Sequence, residues 1–302
     1  MYDLIIIGAG SAGLPAGMYA SRYKLSNLII GELPGGALAT SHQVENWPGT
    51  QSASGKAIMD SFADHAVAAG SEILQERVES ITGSVGNFTV TTTSGKSFNS
   101  KTILLGTGNK YRRLGVPGEE RLIGSGVSYC ATCDGNFFRK RTIAMVGGGD
   151  AAITEALYLS ELAAHVHILV RGDKLRAENI WIEQATAKEN ITIHYNTQIE
   201  EIRGQFNVED VLLKDGSTLK LDGVFIAVGS DPDTKLIDAF TPEKDASGCV
   251  VVDKRQATSI PGIYAAGDVT TNSNKFKQTI MSAAEGCLAA NSIHEDLLRM
   301  GH

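Results

Sequence analysis

Residues 4–13 read Leu4-Ile5-Ile6-Ile7-Gly8-Ala9-Gly10-Ser11-Ala12-Gly13, and this stretch decides the fold. The apolar run predicts a buried strand, the glycines a tight turn, and the residues from Leu14 to Tyr23 a helix. The pattern recurs 139 residues later, where Thr142-Ile143-Ala144-Met145-Val146 leads into Gly147-Gly148-Gly149-Asp150-Ala151-Ala152, with helical composition from Ile153 to Leu162. A strand that ends in a glycine turn and feeds a helix offers free backbone N–H groups and the positive end of a helix dipole to a pyrophosphate. One such turn is weak evidence, since a tight structural turn looks the same. Two in the same context predict two dinucleotide sites.

The residue that meets the adenosine ribose comes at the end of the next strand, about 20 residues on. After Leu28-Ile29-Ile30, Glu32 stands 24 residues past Gly8, where a carboxylate accepts from both ribose hydroxyls. After His167-Ile168-Leu169-Val170, Arg171 stands 24 residues past Gly147, with Arg176 close behind, and a basic pair suits a 2′-phosphate. This contrast assigns FAD to the first site, built from Gly8, Gly10, Ser11, Ala12, Gly13 and Glu32. It assigns NADPH to the second, built from Gly147, Gly149, Asp150, Ala151, Arg171 and Arg176. Solvated surface charge is the alternative for the two arginines.

A chain of 302 residues, 42% apolar, has room for two globular domains. Its 33 glycines exceed the usual share of about 7%, with no collagen-like period, as expected of many turns and close backbone approaches. A net charge of −7 and no long basic run argue against nucleic acid or an anionic membrane as partner. Apolar runs fall far short of the roughly 20 residues that span a bilayer, and no signal-peptide pattern opens the chain. A soluble, cytoplasmic protein is expected. Further elements read as a helix at Lys56–Ala69, a strand around Asn87–Thr93, a run Thr102–Leu105 ending at Gly106-Thr107-Gly108, a helix near Glu178–Lys188, an Asp215-Gly216 hairpin, and a last helix from Phe276 to Arg299.

Of the four cysteines, Cys130 and Cys133 form a close pair, Cys130-Ala131-Thr132-Cys133-Asp134, just before the second nucleotide strand. Between two sites able to exchange hydride, a redox-active disulfide is the natural reading, and a helix N-terminus there would lower a thiolate pKa. A zinc site needs two more ligands at comparable spacing, which neither Cys249 nor Cys287 supplies, so no metal is expected. Cys287 falls with Ile280, Ala283, Ala290 and Ile293 on a stripe expected to be buried, and Cys249 reads as a strand residue. Asp134 is placed to move the proton exchanged between thiol and thiolate, a helix cap being the alternative.

In these residues and their order the chain closely resembles the low-molecular-weight thioredoxin reductases, flavoprotein oxidoreductases of the pyridine nucleotide-disulfide class. The resemblance runs nearly end to end. It rests on both glycine turns, Gly35-Gly36, Val44-Glu45-Asn46-Trp47-Pro48-Gly49, Cys130-Ala131-Thr132-Cys133-Asp134-Gly135 and Ala265-Ala266-Gly267-Asp268-Val269. It implies an α/β fold of two Rossmann-like, three-layer ββα domains, with an NADPH domain (114–245) inserted into a discontinuous FAD domain (1–113 and 246–302). It also implies a homodimer, and rotation of the inserted domain about hinges near Arg112-Arg113-Leu114-Gly115 and Asp245. Gly35, Gly36, Asn46, Gly108, Asp268 and Gln278 become flavin-side contacts, a packed loop being the alternative for Asn46 and Trp47. Cys133 becomes the sulfur facing the flavin, and Cys130 the one that attacks the disulfide of thioredoxin or a thioredoxin-like partner. Arg139-Lys140-Arg141 and Arg112-Arg113 are candidates to guide that partner, or solvated charges.

Three segments depart from the pattern. Gly172 stands where a second arginine follows Arg171, Lys277 precedes Gln278-Thr279 in place of arginine, and Ala37-Leu38 follow Gly36 in place of Gln-Leu. Loss of one charged phosphate contact weakens the NADPH preference and admits NADH. It also admits a ferredoxin-dependent or otherwise NADPH-independent flavin disulfide reductase, although such a protein would not need the intact second turn. A flavoprotein redox sensor without catalysis is the reading from another class.

Overall fold

The apolar run at Leu4 is the centre of β1 (Tyr2–Ile7), which is buried on both faces as a strand flanked by parallel neighbours requires. This computed structural model describes residues 1–40, 44, 46–129, 131–272 and 276–301, with Thr40, Thr132, Cys133 and Ser230 described in their backbone alone. After β1 come α1 (Gly13–Arg22), β2 (Asn27–Ile30), α2 (Gly55–Ala69) and β3 (Glu72–Leu74). Ser54 caps α2 by accepting from Ala57 N at 3.1 Å, and Gly70, left-handed at φ 117°, closes it. A meander follows, β4 (Val78–Ser84), β5 (Asn87–Thr92) and β6 (Ser97–Leu105), then the short β7 (Asn109–Tyr111). The sheet runs β3-β2-β1-β6-β5-β4, parallel from β3 to β6 and antiparallel through the meander.

The second unit holds β8 (Val127–Ser128), α3 (Ala131–Asp134), β9 (Thr142–Val146), α4 (Asp150–Ser160), β10 (His165–Leu169), α5 (Asn179–Thr186) and β11 (Ile191–His194). It continues with β12 (Ile199–Arg203), β13 (Asp210–Leu213), β14 (Thr218–Lys220) and β15 (Gly223–Ile226). A parallel sheet ordered β11-β10-β9-β15-β8 is covered on both faces. Ile143, Met145, Val166 and Phe225 pack on Ala152, Ala156 and Ala185 of the helices. Ala144, Leu169 and Val224, on the other side, pack on Ile202, Val211 and Leu213 of the β12-β13-β14 meander. These are the three ββα layers. The chain returns through β16 (Ser230–Pro232), which pairs with β7, and ends with β17 (Ile263–Ala265), added to β6, and α6 (Thr279–Arg299).

The units are Met1–Lys110 with Asp231–His302, and Tyr111–Ser230. Both crossings therefore fall before the 113/114 and 245/246 boundaries read from sequence. The second differs more, because Leu236, Ile237 and Phe240 join the core around Phe88 and Ile263. Among the described residues no helix is long and apolar enough to cross a membrane.

The buried stripe of α6 agrees with expectation at Ala283, Ala290 and Ile293 and differs at its other two positions. Ile280 is exposed and Cys287 half-buried, while Ala289, Ala290, Ile293 and Leu297 pack on Leu14, Ala16 and Ala20 of α1. The helices approach so closely that a Cβ on Gly286 would lie 2.0 Å from the carbonyl oxygen of Ala12. Gly286→Ala should therefore destabilise the protein by about 1–3 kcal/mol in urea unfolding, the usual cost of overpacking. Ala284→Ser, on the exposed face of the same helix, should stay within about 0.5 kcal/mol of wild type.

Candidate active site

The two glycine turns are built the same way. Gly8 N donates to Ile30 O at 2.8 Å, and Gly106 N to Ile7 O at 2.8 Å. Gly147 N donates to Leu169 O at 3.1 Å, and Ala227 N to Val146 O at 2.9 Å. Gly8 is left-handed at φ 117°, and a Cβ there would lie 2.1 Å from Gly106 O. At Gly147, φ is 150° and the corresponding distance, to Ala227 O, is 2.4 Å. Any larger residue would push the turn off the neighbouring strand. The helices that follow start at Gly13 and Asp150, and neither N-cap residue, Ala12 or Gly149, makes a side-chain cap, which leaves the first N–H groups for whatever the turn holds.

Around the first turn the structure gathers most of the residues assigned to it. Gly35 N donates to Ala9 O at 2.8 Å, and a Cβ on Gly36 would lie 2.9 Å from the Cα of Gly10, so this Gly-Gly segment lies directly on the Gly8–Gly13 turn. Ser11 is half-buried and Ala12 buried at the start of α1. Glu32 follows β2 with an exposed carboxylate, 3.9 Å from the Arg77 guanidinium. Gly108, left-handed at φ 64°, accepts from Asp233 N at 2.9 Å and has open space on its Cβ side. Asn46 Nδ2 donates to Gln278 Oε1 at 2.9 Å, which joins two predicted residues far apart in sequence. Trp47 packs edge-on to Phe62, as the packed-loop alternative describes.

Asp268 sits where β17 leaves the sheet, half-buried, with Ser282 Oγ at 3.5 Å. Burial pushes its carboxyl above the usual range, opposed by the charge of Lys277 and the Ser282 bond. Its loop is held by a residue not singled out in the sequence. Glu285, buried on α6, accepts from Gly267 N at 2.7 Å and from Thr270 Oγ1 at 3.4 Å. An acid within the small-residue face of α6, beside Ser282, Gly286 and Ala289, was the available signal.

At the second turn, Arg176 N donates to Gly148 O at 2.6 Å, and Leu175 is buried. The loop that carries Arg171 and Arg176 is thereby held against the glycines, with both arginines exposed. Gly149 has open space on its Cβ side, and Ala151 is exposed at the start of α4. Asp150 is engaged by protein, its Oδ1 accepting from Glu178 N at 2.7 Å.

Cys130 lies outside the described residues, and Cys133 lies in α3. That helix is a single turn, and a 3-10 turn, Gly135–Phe138, continues it. The Asp134 carboxylate makes no cap. Its Oδ2 accepts from the buried Ser128 Oγ at 2.6 Å, a partner that sequence separation in a two-residue strand could not reveal. A cleft of about 320 Å³ opens beside Asp134, walled by Phe137, Phe138 and the Arg141–Asp222 ion pair. Phe137 is 78% exposed. Cys249 is buried, and burial pushes the Cys287 thiol up to about 11, which keeps it protonated and unreactive.

Two dinucleotide turns in one chain, the second preceded by a C-x-x-C segment beside a hydrogen-bonded carboxylate, define an oxidoreductase of the two-nucleotide, disulfide-active class. The chain belongs to the pyridine nucleotide-disulphide oxidoreductase family, which it matches over residues 2–286. It is 41% identical over 299 residues to the thioredoxin reductase of Treponema pallidum, an alignment covering 96% of this chain and 95% of that one. Among solved structures it is similar to the thioredoxin reductase of Lactococcus lactis, with TM-score 0.93, 33% identity and coverage of 99% and 100% of the two chains. The thioredoxin reductase of T. acidophilum gives TM-score 0.91 and 36% identity, with coverage of 98% and 99%.

One further acid lies on α4. The α4 face bearing Ala152, Ala156 and Leu159 packs on Ala131 of the redox helix. Glu155, on the same helix and half-buried, has its carboxyl pushed by desolvation up to about 7. Between the unfolded value of 4.5 and about 7 the folded protein thus holds a proton that the unfolded chain has lost. Stability contributed by this group is present at low pH and is lost as pH rises through that window. Glu155→Gln should flatten the slope and be more stable than wild type at about pH 8, read as urea midpoints across the range. Parallel wild-type and variant profiles would remove this role.

Proposed function

We propose that the protein is an FAD-dependent thioredoxin-disulfide reductase that takes its electrons from NADPH, reduces its own Cys130–Cys133 disulfide and passes the electrons to thioredoxin or a similar small disulfide protein. The observation that carries this reading is the duplicated turn with opposite charge at the ribose position, Glu32 in one copy and Arg171 with Arg176 in the other, and a C-x-x-C segment ahead of the second copy. The thioredoxin reductases to which the chain is similar along nearly its whole length support it. The proposal extends to a homodimer in a cytoplasmic setting, as the family resemblance implies.

The first site fits FAD. Its backbone contacts at Gly8, Gly13 and Gly36 exclude Cβ atoms, which leaves the α1 N-terminus clear for a pyrophosphate. Glu32 would hold the adenosine ribose, and Asn46, Gly108, Asp268 and Gln278 the flavin side. Bound there, FAD supplies a two-electron carrier between nicotinamide and disulfide. The second site fits NADPH, with the α4 N-terminus on the pyrophosphate and Arg171 and Arg176 on the 2′-phosphate. An intact second turn with a basic loop held on it favours a nicotinamide donor over ferredoxin.

In the dithiol form, the Cys130 thiolate attacks the partner's disulfide to give a mixed disulfide and one partner thiolate. The Cys133 thiolate then attacks Cys130, releases the second partner thiolate and restores the Cys130–Cys133 disulfide. Asp134, oriented by Ser128, moves protons between these sulfurs. The exposed Phe137 beside the redox turn suits a protein surface as partner. Of the basic residues considered as guides, Arg113 and Arg141 are already in ion pairs with Glu120 and Asp222, while Arg139 and Lys140 are exposed.

Cys133→Ser should abolish NADPH-dependent thioredoxin reduction while the flavin is still reduced by NADPH in a stopped-flow trace. Unchanged thioredoxin turnover in this variant would refute the relay.

A further inference from the structure

Asp150 is an anomaly in a phosphate site. It is the first residue of α4, directly after Gly149, so its negative charge stands beside the place where a pyrophosphate would bind. Such a charge weakens anion binding unless it does something else. Its Oδ1 accepts from Glu178 N at 2.7 Å, at the far end of the segment that carries Arg171, Lys174 and Arg176. Main-chain bonds hold the same segment at its other points. Arg176 N donates to Gly148 O at 2.6 Å, and Asn196 N to Gly172 O at 2.9 Å. Buried Leu175 lies under Gly148, its Cδ2 3.5 Å from where a Cβ on that glycine would sit. Among the described residues none of the three cations is in an ion pair, so the segment offers a positive surface held at fixed height over the glycine turn.

We infer that Asp150 is a positioning residue for nicotinamide-nucleotide specificity: it latches the basic segment to the glycine turn, so that Arg171 and Arg176 meet a 2′-phosphate. The inference rests on the reading of the second site as NADPH-binding. The 2′-phosphate is the one group that distinguishes NADPH from NADH. Freeing the segment therefore weakens binding of the phosphorylated nucleotide and leaves the other nearly unchanged. The charge of Asp150 acts oppositely, repelling the pyrophosphate common to both nucleotides. Latch and charge are thus separable, because asparagine keeps an acceptor oxygen and loses the charge.

The test is calorimetric titration of the FAD-loaded protein with NADP⁺ and with NAD⁺. Wild type should prefer NADP⁺. Asp150→Ala should lower the ratio of the two affinities about tenfold. Asp150→Asn should keep the ratio within about twofold, with both nucleotides bound at least as tightly as by wild type. Glu178→Pro removes the donor from the other side of the bond, and the φ of −60° at that residue suits a proline ring, so it should repeat the loss seen with alanine. A general loss of folding would weaken both nucleotides together and leave the ratio unmoved. An unchanged ratio in Asp150→Ala, or an asparagine variant that falls as far as alanine, would overturn the latch. A wild type without preference for NADP⁺ would overturn the NADPH reading itself, and the latch with it.

Discussion

Backbone packed on backbone at Gly8 and Gly147 is the constraint on which the rest of the molecule depends. At each position a Cβ would fall within 2.5 Å of the carbonyl of the residue just past the adjacent strand, Gly106 in one unit and Ala227 in the other. The two strands can end side by side and turn outward together only because no side chain intervenes. That places a helix N-terminus at the crevice beyond the strand ends, where open parallel sheets bind their ligands. It also fixes where the following strand delivers its end, and with it Glu32 in the first unit and Arg171 in the second.

From that common construction the two units diverge by charge and by what covers them. The first is closed by α6, whose small residues let it lie against α1 and whose buried Glu285 holds the Gly267–Thr270 loop. That loop presents Asp268, and the Asn46–Gln278 bond ties a second loop to the start of α6. The second unit instead carries a basic segment fastened to its turn and the one-turn helix α3 packed on α4. Two glycine turns, one followed by an acid and the other by arginines, and a cysteine pair next in sequence to a Ser128-oriented carboxylate are the parts that the proposed disulfide reductase uses.

Much of this was legible in the sequence for identifiable reasons. The strands at Leu4 and Thr142 are continuous apolar runs, and the glycine turns have no other economical explanation when they precede helices. Both helix assignments near the turns held to within a few residues, and the ββα layering was what the family resemblance implied. Features that depend on tertiary contact were not legible. Residues 231–245 belong with the first unit because Ile237 and Phe240 find that unit's core, which no local pattern announces. Ile280 and Cys287 fall outside the buried face of α6, where the close approach at Gly286 sets small residues against α1. Asp150 reads as a cofactor ligand by position, yet its carboxylate is taken by a backbone N–H 28 residues away. Ser128 and Glu285 carry no motif at all, and each is recognised only by the atom it reaches.

The central claim is that electrons enter at the second turn and leave at the cysteine pair. Anaerobic titration of the FAD-loaded protein with NADPH tests it most directly, following the flavin absorbance and the free thiols in one experiment. The account predicts bleaching of the flavin with release of two thiols per chain and regeneration of both signals when oxidised thioredoxin is added. An oxidised flavin spectrum left unchanged by NADPH and by NADH, but bleached by reduced ferredoxin, would contradict it.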